Sequence, residues 1–250
     1  MLIQLFLLGG NVMVPPIVTR VCRMTHATND TVQTAQIFAN LADEAWRQLG
    51  SRTLADLTLA EIAAHVDVEA GLAVALAGDL QQLILGKMAA LDDQAVLESF
   101  ADIEDAGVVP TREKVLEAIL HRFEVYAPYR AQIQALNRAA RARPDLALAL
   151  GLGLHAVTRR MLAMAGDDCD GWRGSMRVKG VAGVVMFVAR TWMKDDSPDL
   201  APTMKELDRR LQQAEEWADS LQLFQQSRRR RGKASVDEDD EAGHYGVNND

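Results

Sequence analysis

The residues that could act chemically are few and scattered. The chain has five histidines and two cysteines. His65, His121 and His155 stand at no metal-ligand spacing from one another. Cys22 and Cys169 form no CxxC pair and have no histidine cluster beside them, so they read as incidental thiols of a reducing compartment. Two aspartate pairs, Asp167–Asp168 and Asp195–Asp196, fall in loop-like sequence and read as solvated turns. There is no G-x-S-x-G, no P-loop, no G-x-G-x-x-G after a strand and no H-E-x-x-H. The expectation is a protein that is not an enzyme and uses no cofactor and no metal.

Recognition chemistry is better represented. TLAEIAAHVDVEAGLAVALAGDLQQLI, from Thr58 to Ile84, has the rhythm of two short helices joined by a tight turn, the layout of a helix-turn-helix DNA reader. Such a unit holds DNA through Lys and Arg that neutralise phosphates, and reads bases with Arg, Lys, Asn or Gln. Yet Thr53 to Gly86 contains no lysine or arginine and holds five acids, Asp56, Glu61, Asp67, Glu69 and Asp79. The segment EAGLAVAL that would enter a groove offers no long donor. Arg47, Arg52, Gln81, Gln82 and Lys87 are the flanking residues that could touch DNA. The apolar edge of Leu72, Val74, Leu76 and Leu80 could instead be a packed surface or a contact surface.

The elements that position these residues are helices. The chain has 250 residues and 27.5 kDa, long enough to bury a core without disulfides. It is 48% hydrophobic and rich in Ala and Leu, with few β-branched runs. Net charge is −8 and the pI is near 5.2, which removes overall basicity as an argument for nucleic acid. Residues 1–30 read as disordered or as a mis-assigned start. Met1 to Leu8 is apolar but too short for a membrane span, Gly9, Gly10, Pro15 and Pro16 interrupt the stretch, and translation from Met13 or Met24 is the expectation. Elsewhere no run reaches about eighteen unbroken apolar residues, so the cytoplasm is the expected location.

About nine helices follow, with no sheet. The first spans Thr31 to Leu49, with Ile37, Phe38, Leu41, Ala42, Ala45, Trp46 and Leu49 on one face. A second runs from Leu57 to Val66 with Thr58 as N-cap, and a third from about Glu69 to Leu76. Asp79 can cap a fourth that reaches about Ile103. AGVVP at 106–110 is a break, and Thr111 can cap the helix that carries Val115, Leu116, Ile119 and Phe123. Pro128 interrupts it, and Tyr129 to about Arg143 forms the next. Pro144 opens a mostly apolar helix that ends at Gly166. DDCDGWRG is a loop, and Ser175 to Lys194 is apolar nearly all round at its centre, implying burial on more than one side. Ser197 and Pro198 signal the start of the last helix, whose Leu207, Leu211, Ala214, Ala218 and Leu221 recur at alternating four- and three-residue steps. Residues 227–250 carry four consecutive arginines and then the DEDDE run, and read as a disordered charged tail.

This pattern resembles the TetR-type transcriptional regulators, over roughly residues 31–225. LADEAWRQLG and LTLAEIAAHVDV resemble the first helix and the start of the helix-turn-helix, with matching positions Thr58, Ile62, Ala63 and Val68. HRFEVYAPYRAQIQAL and WMKDDSPDLAPTMKELDRRLQQAEEW resemble the ligand domain of one TetR subfamily, and also the lipid-binding accessory protein of ubiquinone biosynthesis, which shares the TetR-like fold. The departures fall where DNA would be read. The family's turn glycine is Asp67 here, the small hydroxyl residue opening the recognition helix is Glu69, and the DNA-pressing tyrosine is Val74. The phenylalanine after it is Ala77, and the lysine opening the fourth helix is Leu80.

The resemblance implies a degenerate helix-turn-helix unit at 31–78 and a helical ligand-binding and dimerisation domain at 79–226. It implies a pocket for a hydrophobic small molecule or lipid, lined by Phe123, Tyr126, Gly151, Leu154, His155, Met161, Met164 and Met186, with Gly151 and Gly153 leaving room. The bland alternative is close helix packing with methionine as filler and His155 as a hydrogen-bonded core residue. It implies a homodimer through Gly180, Gly183, Leu207, Leu211, Ala214, Ala218 and Leu221, against burial of the same residues within one subunit. Leu221, Phe224 and the arginines after them could meet an anionic membrane surface or DNA, but the neighbouring acids offset them and a solvated tail is the favoured reading. The expected function is that of a homodimeric regulator sensing a hydrophobic molecule, with its DNA-binding head degenerate. The alternative is a lipid-binding accessory protein that binds no DNA.

Overall fold

The structure, a computed structural model, describes the backbone of residues 16–105 and 109–216, and the side chains of 31–104 and 109–216. The expectations for residues 1–15 and for the tail at 227–250 lie outside the described residues, as do those for Ala218 and Leu221. Among the described residues the regular structure is all helical. The chain divides into two compact units, residues 1–87 and 88–250, with the boundary inside one helix.

Unit 1 is built from α1 (Pro16–Leu49), α2 (Leu59–His65), α3 (Ala70–Ala77) and the start of α4 (Leu80–Asp105). α1 begins well before the predicted Thr31. Pro16 has the fixed φ that suits a first helical turn, and no glycine or further proline interrupts the residues after it. Leu41, Ala42, Ala45, Trp46 and Leu49 of α1 are buried, together with Leu54, Leu57, Ile62, Ala63, Ala73, Ala77, Leu83 and Ile84. α2 starts where its cap dictates: Glu61 N–H donates to Thr58 Oγ1 at 3.3 Å, and Thr58 N–H donates to Glu61 Oε2 at 3.2 Å. It stops at Asp67, whose φ of 53° is left-handed, so that Val68 N–H can close back on the Ala63 carbonyl at 2.9 Å. Asp79 Oδ1 accepts from Gln82 N–H at 2.8 Å and caps α4. Gly86 is fixed by sterics, because a Cβ there would stand 2.6 Å from the Phe38 ring.

Unit 2 contains the rest of α4, α5 (Thr111–Tyr126), a 3-10 turn at Ala127–Tyr129, α6 (Arg130–Ala142), α7 (Pro144–Met164), α8 (Gly171–Trp192) and a last helix at 201–216. Thr111 is the first residue of α5, not its cap. Pro110 takes the cap position, accepting Lys114 N–H on its carbonyl. α7 starts at Pro144 as its sequence predicts. It is long and apolar enough to cross a membrane by length and composition alone, but one side of it is buried through Leu146, Val157, Thr158, Met161 and Leu162. α8 begins a turn before the predicted Ser175, because the Asp170 carbonyl accepts Gly174 N–H and Gly174 lies so close to the Cys169 backbone that no side chain fits. α8 is buried on one side only, through Val178, Val185, Val188 and Trp192, not on several as its central run suggests. Phe123 of α5 stacks on Trp192 with ring centroids 5.4 Å apart.

Candidate functional site

The first candidate is the surface of unit 1. Its described side chains, 31–87, include three basic residues and seven acidic ones, 3 − 7 = −4 in formal charge. Each of the three predicted basic contacts is held by its own unit. Arg47 Nη2 lies 2.6 Å from Glu44 Oε1, and that hydrogen bond holds the Glu44 carboxyl down at about 2. Lys87 Nζ lies 2.6 Å from Asp43 Oδ1. Arg52 donates to Gln48 Oε1 at 3.0 Å and to the Asp56 carbonyl, and lies 3.6 Å from Glu61 Oε2. Gln81 is half-buried and Gln82 exposed. α3 turns Ala70, Gly71, Leu72, Val74 and Ala75 outward, and none of these side chains can donate a hydrogen bond.

The predicted pocket residues differ widely in burial. Phe123, Tyr126 and Met161 are buried, and Leu154, His155 and Met164 are half-buried. Met186 is exposed, and so are Gly151 and Gly153, where an added Cβ would meet nothing within 4 Å. The glycines therefore open no interior room; they lie on an outward face of α7 that also carries Leu148 and Leu152, 65% and 61% exposed. Helical spacing located that apolar stripe but could not say whether it faces a cavity or solvent. An open cleft of about 470 Å³ lies elsewhere, lined by Arg190, Thr191, Lys194, Asp195, Ser197 and Pro202 among others. A second, of about 320 Å³, is lined by residues including Asp102, Ile103, Glu113 and Lys114. Neither touches the predicted pocket residues.

The dimer candidates separate into two groups. Gly180 and Gly183 lie exposed on α8, in a stripe with Trp172, Met176 and Phe187. Leu207 and Leu211 are buried inside the protomer and Ala214 is half-buried, so this part of the last helix packs against its own unit. Alternating leucines mark the buried side of a helix without saying whose chain covers it.

Several polar groups were not legible in the sequence. Asp195 is buried, not part of a solvated turn. Its carboxylate accepts from Ser197 N–H and Oγ–H and from Thr203 N–H and Oγ1–H. Burial raises its pKa, but these four hydrogen bonds outweigh burial and bring it to about 2. Ser197 is thus a donor to Asp195, not the N-cap, and the helix follows Leu200, whose φ is 49°. Asp167 pairs with Arg177 at 2.7 Å. His121 lies 2.8 Å from Glu98 Oε2 and 3.4 Å from Glu124 Oε2. Among the described residues no cluster of three or more His, Cys, Asp or Glu could hold a metal ion. Cys169 is buried beside backbone carbonyls, and burial pushes its thiol up. Set against known protein families and curated proteins, the chain matches none of them.

Proposed function

We propose that this protein is a TetR-like homodimer that carries a hydrophobic small molecule or lipid and does not hold DNA through unit 1. One observation carries the reading: Arg47, Arg52 and Lys87 are each engaged by a carboxylate of their own unit. DNA affinity comes from cations that neutralise phosphates, and a groove-facing helix needs long donors. Here a phosphate would have to displace a carboxylate at each of these three cations and approach described side chains of net negative charge. The apolar outward face of α7, with Leu148 and Leu152, supports a hydrophobic ligand, and the α8 stripe supports pairing with a second copy.

The regulator reading keeps one observation in its favour. The capping box of α2 and the left-handed Asp67 give α2 and α3 the tight turn of a helix-turn-helix. Two measurements on the purified full chain separate the readings. Organic extraction with mass spectrometry is expected to release an apolar species in near-stoichiometric amount. A gel shift with the region upstream of its gene is expected to show no specific band at about 0.15 M salt. A specific, salt-tolerant shift with no extracted ligand overturns the carrier reading.

A further inference from the structure

The outward face of α3 has no explained use. Val74 is 55% exposed and Leu72 40%, with Ala70, Gly71, Ala75 and Gly78 around them. Carboxylates stand at both ends of this face: Asp67 and Glu69 before α3, Asp79 after it. None of the three has a cation partner among the described residues, whereas Asp43, Glu44 and Glu61 each face a cation. Asp79 is occupied in capping α4, and Asp67 sits in the left-handed turn between α2 and α3. Glu69 has no such duty, since its side chain makes no cap hydrogen bond although it sits at the cap position.

We propose that this face docks a basic amphipathic helix of a partner protein. α3 has eight residues, a span of roughly 12 Å. A partner helix that laid an apolar stripe on Leu72 and Val74, with lysines or arginines about two turns apart, would meet the carboxylates at both ends. Charge selects this occupant. A second copy docking face to face would set acid against acid, and an anionic membrane or nucleic acid would be repelled by the same groups. A neutral apolar ligand would leave the carboxylates unmatched. The inference rests on unit 1 alone and stands whatever ligand unit 2 carries.

The test is fluorescence anisotropy of a labelled synthetic helix of leucine–lysine heptads, titrated with the full chain at about 0.15 M salt. A peptide with glutamate in place of lysine is the charge control. The lysine peptide is expected to bind and the glutamate peptide not to. Glu69→Gln combined with Asp79→Asn should weaken binding at least about tenfold, and Val74→Ser about fivefold. Leu97→Ser, at an exposed position of α4, should leave it unchanged. Thermal melts check folding, and if the double variant melts early, Glu69→Gln alone, which loses no cap, should still weaken binding about threefold. No binding, binding indifferent to the α3 substitutions, weakening by Leu97→Ser equal to theirs, or duplex DNA competing for the same face would each overturn the proposal.

Discussion

Tyr126 Oη lies 3.0 Å from Asp92 Oδ1, and the two tie α5 to α4 within the core of unit 2. Arg122 Nε reaches the same oxygen at 2.7 Å, and its guanidinium covers the Tyr126 ring at 4.7 Å from the centroid. The Met88 carbonyl is a second acceptor within reach of the phenol's one hydrogen, at 3.1 Å. Burial is the main reason the Tyr126 pKa is pushed up, so the phenol stays a donor throughout the ordinary pH range. Asp92 is thereby a nearly buried charge with one counter-charge and one neutral donor.

That arrangement predicts unequal costs. Arg122→Met should destabilise by about 3–5 kcal/mol, because it leaves the Asp92 carboxylate without a counter-charge. Tyr126→Phe should cost only about 1 kcal/mol, since Arg122 still satisfies the carboxylate. Urea denaturation of the two variants checks the order; a Tyr126→Phe cost equal to that of Arg122→Met would mean that the phenol, not the guanidinium, holds Asp92.

Asp195 predicts a pH dependence. Its folded pKa of about 2 lies below the usual 3.8 of a free aspartate. A depressed folded pKa stabilises above the unfolded value, and that stability fades as pH falls from about 4 towards 2. Asp195→Ala should cost about 1–3 kcal/mol near neutral pH, because the fully buried Thr203 loses its acceptor. The gap in melting temperature between the protein and this variant should narrow below pH 4. A constant gap down to pH 2 would show that the carboxylate's charge plays no part.

The sequence made the helices readable because their ends carry local chemistry. Thr58 with Glu61, Asp79 and Pro144 each mark an end through a bond or a fixed φ that involves only neighbouring residues. The apolar stripes were readable for the same reason, since Leu41, Ala45 and Leu49 of α1, and Val115, Ile119 and Phe123 of α5, repeat at helical spacing and are buried. What covers a stripe is a long-range fact. Gly151 and Leu148 look like pocket lining and face outward, whereas Leu207 and Leu211 look like an interface and are internal. Asp195 escaped because its partners, Ser197 and Thr203, converge only once Leu200 has turned the chain.

Three glycine and turn positions should respond in opposite directions. Gly86→Ala should destabilise by about 1–3 kcal/mol, since the new methyl would force the Phe38 ring aside. Asp67→Gly should stabilise by about 0.5–1 kcal/mol by relieving a left-handed backbone. Gly151→Ala should stabilise by a similar amount, because its Cβ meets open space within a helix. Chemical denaturation measures all three. A Gly151→Ala protein that is more stable but co-purifies with less ligand would place the ligand on that face of α7.

The proposed pairing through α8 is separable from folding. In the isolated protomer a Cβ at Gly183 meets nothing within 4 Å, and Met176 is exposed, so Gly183→Arg and Met176→Glu should leave the melt of unit 2 nearly unchanged. If two copies pack with these glycines facing, either substitution sets a charge against the closest approach of two backbones. Light scattering should then report the protein as a dimer and both variants as 27.5 kDa monomers. Leu211→Ala acts through a different cause. Leu211 is buried in its own protomer, so its loss should cost about 2–5 kcal/mol of stability. A variant that still folds should keep the dimeric mass. Should Leu211→Ala yield a folded monomer while Gly183→Arg stays dimeric, the last helix, and not α8, holds the two copies together.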